Sequence, residues 1–153
     1  MWIAQIRSLP EELAVLTMGL SSEQLTSAFL AGEWSVAQNV HHLADSHMHS
    51  FIRLKLILAE EQPTLRPYDQ DVWATTPEAN LPDLRASLML LRGLHARWAD
   101  LFAGLDEAQW QRTGFHPEQG AVSVEKILRS YAAHGVAHLE QIRRTLAAAP
   151  TSR

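Results

Sequence analysis

Two histidines four residues apart are the sharpest chemical feature of the chain: His134-Gly135-Val136-Ala137-His138. On an α-helix, positions i and i+4 lie one turn apart on the same face. Both imidazoles can then reach a single ion, as in helical zinc sites. Gly135 stands where an HExxH metalloprotease carries its general-base Glu, so zincin chemistry does not fit. A second concentration is His41-His42-Leu43-Ala44-Asp45-Ser46-His47-Met48-His49. Its histidines cannot all point one way on a helix. His47 falls on the apolar stripe of Val36, Val40 and Leu43, and His41 keeps company with Ala37, Ala44, Met48 and Ile52. His42 aligns with Asn39, Ser46, His49 and Arg53, a polar stripe along an otherwise apolar helix. Such a stripe is either a solvated face or the polar wall of a cavity, which makes Asn39, Ser46, His49 and Arg53 candidate substrate contacts. Helical phase alone leaves His41 and His42 both open as a further ligand. It also leaves open the reading that these imidazoles are hydrogen-bonded core residues.

Other chemistries drop out. Cysteine is absent, which removes disulfides, thiolate metal sites and an enzyme thiol nucleophile. A di-iron carboxylate bundle needs Glu-x-x-His pairs on two helices, and no Glu or Asp here has His three residues later. Neither a GxSxG elbow nor a phosphate-binding or dinucleotide-binding glycine loop occurs.

The elements that must carry these histidines read as helices. Trp2, Ile3, Ile6, Leu9, Leu13 and Leu16 recur at helical spacing from Trp2 to Met18, interrupted by Pro10, which predicts two pieces or one kinked helix. Ser21 to Leu25 reads as a short capped turn. Ser35 to Gln38 is a capping box that opens a helix running to about Glu61, with Trp34 placed to staple onto its first turn. Residues 62–82 form a long connection with four prolines. A third helix is expected after Asn80, with Pro82 in its first turn, a stripe of Leu84, Leu88, Leu91, His95, Trp98 and Phe102, and a stop at Gly104. Asp106 to Gln109 suggests a further capped turn, Thr113 to Val122 reads as irregular, and a last helix spans Ser123 to about Ala148. Four long amphipathic helices pack as a bundle, and long connections allow a crossover topology.

With 153 residues the chain has the length of one domain, residues 1–153. The net charge of −4 argues against a nucleic-acid footprint. The N-terminus lacks the features of a signal peptide and no apolar run could span a membrane, so a soluble cytoplasmic protein is expected. Leu54, Leu56, Ile57 and Leu58 make the end of the second helix apolar nearly all round. Such a helix is central in a core or half in an interface, and a homodimer is expected.

Several stretches together resemble the DinB/YfiT-like superfamily, YfiT branch. They are Trp2–Leu13, Glu33–Arg53 (EWSVAQNVHHLADSHMHSFIR), Pro63–Trp73, Leu94–Trp98, His116–Gly120 and Tyr131–Ile142 (YAAHGVAHLEQI). The resemblance implies an all-α four-helix bundle with a long crossover. It also implies one divalent metal ion, zinc or nickel, held by His42, His134 and His138. Members of this branch usually carry an arm ahead of the segment that begins here at Trp2, and extra histidines after the start of the last motif, where this chain has Val136, Ala137 and Gln141. They are described as metal-dependent hydrolases, relatives transfer low-molecular-weight thiols such as bacillithiol, and homodimers are common.

Three neutral imidazoles leave a coordination position open, the pattern of catalytic zinc. A water or a substrate thiol that takes the open position is acidified. No motif supplies a Glu as general base, and without Cys any thiol must come with the substrate. The expectation is therefore transfer of a small thiol to an electrophile, with Arg53 near the cosubstrate's charge. Hydrolysis of an amide or ester, and a non-enzymatic metal-binding dimer, are the alternatives.

Overall fold

The computed structural model describes residues 1–150. The first helix, α1 (Trp2–Thr17), runs unbroken through Pro10. Proline has no N–H, so the Ile6 carbonyl, four residues earlier, has no donor in its own helix. Helix α2 (Ser22–Thr26) is capped by Ser21. Helix α3 (Val36–Ala59) starts at the predicted capping box. The Ser35 hydroxyl accepts the Gln38 N–H at 3.2 Å, while the Gln38 side chain accepts the Ser35 N–H at 3.0 Å. A cap of this kind is worth about 1 kcal/mol, and here it fixes where the histidine-rich helix begins.

The long connection holds a short helix α4 (Gln70–Trp73) and a single 3-10 turn, Glu78–Asn80. Helix α5 (Arg85–Ala103) begins later than the sequence reading placed it. The Asp83 carboxylate accepts the Arg85 N–H at 3.1 Å and also pairs with the Arg85 guanidinium, so Pro82 precedes the helix instead of lying in its first turn. Helix α6 (Glu107–Trp110) follows, with its capping box at Asp106.

The segment read as irregular is a hairpin of β1 (Thr113–His116) and β2 (Gly120–Ser123). Four-residue strands carry too little alternation to be seen in the sequence. Helix α7 (Val124–Ala147) completes the chain, capped by Ser123.

Four long helices make the bundle. Helix α1 packs against α5 and α7, and α3 packs against the same two. Consecutive long helices, α1 with α3 and α5 with α7, therefore face each other across the bundle, and long connections join them. The approach of α1 to α7 is tight at Gly135, where a Cβ would lie 2.7 Å from Leu9 Cδ2. Two apolar clusters fill the interior, one around Leu54, Ile57, Trp98, Phe102 and Ile127, the other around Leu13, Val40, Leu43, Leu91 and Ile142. Each such side chain contributes about 1.5–3 kcal/mol by leaving water.

The apolar end of α3 is filled from within the chain. Leu54 and Ile57 are fully buried, and Leu56 and Leu58 are half-buried. The hairpin lies over them, with Gly114 so close that a Cβ would sit 3.0 Å from Ile57 Cγ1. Leu54 and Ile57 of that apolar end thus belong to the chain's own core. No helix among the described residues is long and apolar enough to cross a membrane.

Candidate metal centre

His42 on α3 meets His134 and His138 on α7. The His134 Nε2 lies 3.1 Å from His138 Nε2 and 3.3 Å from His42 Nε2. Ligands held at about 2.0–2.1 Å around a tetrahedral zinc ion are about 3.3–3.4 Å apart, so the spacing is that of a ligand set. Among the described residues, this is the only group of His, Asp or Glu side chains gathered closely enough to hold an ion.

The protons can be placed from the hydrogen bonds behind the rings. The Ile6 carbonyl that Pro10 leaves without a helical donor accepts from His95 Nδ1. A neutral His95 then has an acceptor at Nε2, which takes the Nδ1–H of His47 at 2.8 Å. His47 Nε2 in turn accepts from His134 Nδ1 at 3.0 Å, which leaves a lone pair at His134 Nε2. On the other ligand, the Asn39 amide nitrogen donates to the Ser35 carbonyl at 2.9 Å, so its oxygen is free to accept the His138 Nδ1–H at 2.7 Å. His138 Nε2 is therefore a lone pair as well. Two acceptors face each other at 3.1 Å with no proton to share. A cation is the partner that this arrangement fits, and the outer bonds hold the rings as such bonds do in metal sites.

Electrostatics agree. Burial lowers the His42 pKa to about 4, helped by the neighbouring His138. Burial, followed by His138 and His42, takes His134 to about 3, and burial alone takes His138 to about 4. Burial also lowers His95 to about 4 against the opposing Ile6 bond, and it holds His47 well below the usual range. All five imidazoles are neutral at pH 7, the state that binds metal.

His42 stands in the histidine cluster and His41 does not. His41 turns away, its ring nitrogens 2.8 Å from Ser87 Oγ and 3.0 Å from the Leu81 carbonyl oxygen. Trp34, expected only to staple the first turn, places its ring 4.7 Å from that of His42 and nearly parallel to that of His138. Of the polar stripe, Asn39 is fully buried behind His138. His49 stacks on Tyr68 at 4.2 Å, with Trp73 5.0 Å away. Ser46 and Arg53 line a cleft of about 270 Å³ whose walls include Tyr68, His116, Tyr131 and His134. The cleft thus reaches the metal centre from outside. Tyr68 and His116 come from the long connection and the hairpin, where no periodicity marks a residue's direction.

The description of the DinB superfamily matches residues 5–142, a span that includes all three clustered histidines. The chain belongs to the DinB superfamily. A protein of Oceanobacillus iheyensis named "Putative metal-dependent hydrolase" is 44% identical over 141 residues, covering 92% of this chain and 81% of its own. A Bacillus mycoides protein of the same name is 40% identical over 148 residues, covering 95% of this chain and 85% of its own. The solved structure of YfiT from Bacillus subtilis, described as "a probable metal-dependent hydrolase with an unusual four-helix bundle topology", superposes with a TM-score of 0.90 at 37% identity, covering 94% of this chain and 83% of that one. The diagonal placement of consecutive helices is what this DinB-superfamily chain shows in its own bundle.

Proposed function

We propose that the chain is a metal-dependent enzyme in which His42, His134 and His138 hold one divalent ion, zinc or nickel. In this reading it transfers a small anionic thiol to an electrophile. The observation that carries it is the cleft: His134 forms part of its wall and Arg53 another part, so one small molecule can touch both. When bound, the ion would supply Lewis acidity, bringing the pKa of a coordinated thiol or water toward neutrality. The residues of the chain do the rest. His47 and Asn39 keep the lone pairs of His134 and His138 aimed inward. Tyr68 and Tyr131 narrow the cleft, and Arg53 offers charge to an anionic cosubstrate. With no Cys in the chain, the thiol belongs to the substrate.

Hydrolysis of an amide or ester is the second reading. Its support is the names of the relatives together with His116 and Glu118 on the cleft wall, two groups able to carry a proton. A metal-binding module without activity would be expected to seal its site, and an open cleft counts against that.

Metal-loaded protein given a small thiol and monochlorobimane should form the conjugate faster than metal-stripped protein, and His138→Ala should abolish the gain. Cleavage of amide or ester substrates without added thiol would put hydrolysis first. If neither activity depends on metal, the binding-module reading stands.

A further inference from the structure

Off the cleft opens an inner pocket of about 100 Å³, lined by Ser50, Arg53, His116, Gln119, Lys126 and Tyr131 among others. It shares Arg53, His116, Gln119 and Tyr131 with the cleft that reaches His134. Two side-chain polar atoms of its lining residues lack partners. Ser50 is fully buried and its hydroxyl bonds to nothing. The Arg53 Nε is likewise buried without an acceptor, although Nη2 donates to the Arg66 carbonyl at 2.6 Å and so holds the side chain in place. A buried donor left without a partner costs about 1–3 kcal/mol.

The charge is as one-sided as the hydrogen bonding. Among the described residues, neither Arg53 nor Lys126 forms a salt bridge. The Glu118 carboxylate lines the outer cleft and pairs with neither. His116 accepts the Glu118 N–H at Nδ1, so its neutral ring carries the proton on Nε2 as one more donor. In a chain of net charge −4, two unpaired cations and several free donors converge on a single pocket.

We propose that this inner pocket is an oxyanion subsite, taking a carboxylate or phosphate at the far end of a molecule whose other end reaches the three histidines. Arg53 and Lys126 supply the charge. The inference rests on the reading above only in placing a substrate in the cleft. The pocket itself needs no metal, and that separates the two in experiment.

The probes are succinate and inorganic phosphate, titrated into metal-free and metal-loaded protein while the arginine Nε–H resonances are followed by nitrogen-15 NMR. Arg53→Gln identifies the Arg53 signal. A saturable shift of that signal is expected, equal within twofold with and without metal and weakened at least tenfold by Lys126→Gln. The anion that binds more tightly names the group. Because Arg53 also supports the loop at Arg66, Lys126→Gln carries the test, with its fold checked by circular dichroism. Three outcomes would overturn the proposal: no saturable shift with either anion, unchanged affinity in Lys126→Gln, or binding that disappears when the metal is removed. The last would place the anion on the ion itself. Failure of the conjugation assay would leave these outcomes unaffected.

Discussion

The Ile6 carbonyl, which Pro10 leaves without a helical N–H donor, accepts its hydrogen bond from His95. That acceptor-only carbonyl in the first helix sets the direction of a chain of protons that passes through His95 and His47 and ends at His134. If His134 holds an ion, this chain is expected to set how well it does so.

Replacing either inner histidine should therefore act at a distance. His47→Leu and His95→Leu remove an acceptor from the histidine before it and should weaken metal binding by about 10–100-fold. Chelator competition measures this. His95→Leu also strands the Ile6 carbonyl and should cost about 1–3 kcal/mol of stability in denaturant unfolding. Pro10→Ala returns a helical donor to Ile6 but leaves the carbonyl a second lone pair for His95, so metal affinity should change far less than in His95→Leu.

The ligand assignment itself is tested by adjacent positions. His42→Ala should abolish stoichiometric metal binding, whereas His41→Ala should keep it, because His41 faces Ser87 and Leu81. Mass spectrometry of protein purified without a metal column reads both. Loss of metal in His41→Ala alone would reverse the assignment.

Gly135 predicts a stability effect against the usual sign. Alanine in a helix interior is favoured over glycine by about 1 kcal/mol. Here the added Cβ would press on the buried Leu9, and overpacking costs about 1–3 kcal/mol. Gly135→Ala should therefore be neutral to destabilising by up to about 2 kcal/mol, measured from urea midpoints. A gain in stability would show that α1 and α7 can move apart freely.

Acid should unfold the metal-free protein in a defined window. In the unfolded chain the histidines titrate near about 6.5. In the folded chain, burial holds His42, His95 and His138 at about 4 and His134 at about 3. Below pH 6.5 the unfolded form binds protons that the folded form refuses, so stability is full above that pH and falls progressively toward pH 4. Denaturant midpoints measured from pH 7.5 to 4 should decline across this range. Added zinc, which needs the same neutral rings, should raise the midpoint at pH 7 and be released over the same interval.

How far the sequence could be read depended on how local each feature is. Ser35 and Gln38 lie three residues apart, so the start of α3 was legible, as was the HxxxH pair on α7. His42 could be separated from His41 only by resemblance, since a helical phase does not say which neighbour a face will meet. The links from His134 to Ile6 join α7, α3, α5 and α1, and no spacing within one helix records them. Pro10 was visible as an interruption, but the carbonyl it frees has meaning only once His95 is beside it. His116 was visible only within a resembling stretch and Lys126 not at all, because the pocket they share with Arg53 joins α3, α7 and a hairpin too short to show a pattern.

Because the bonds behind His134 pass through a residue of every long helix, an ion held by the three histidines would link occupancy of the centre to docking of α1. Whatever factor an ion contributes to holding α1 against α5 and α7, loosening α1 must subtract the same factor from affinity for the ion. A ligand that pries at the first helix, far from the cleft, would then act as an antagonist of metal uptake without touching any of the three coordinating rings.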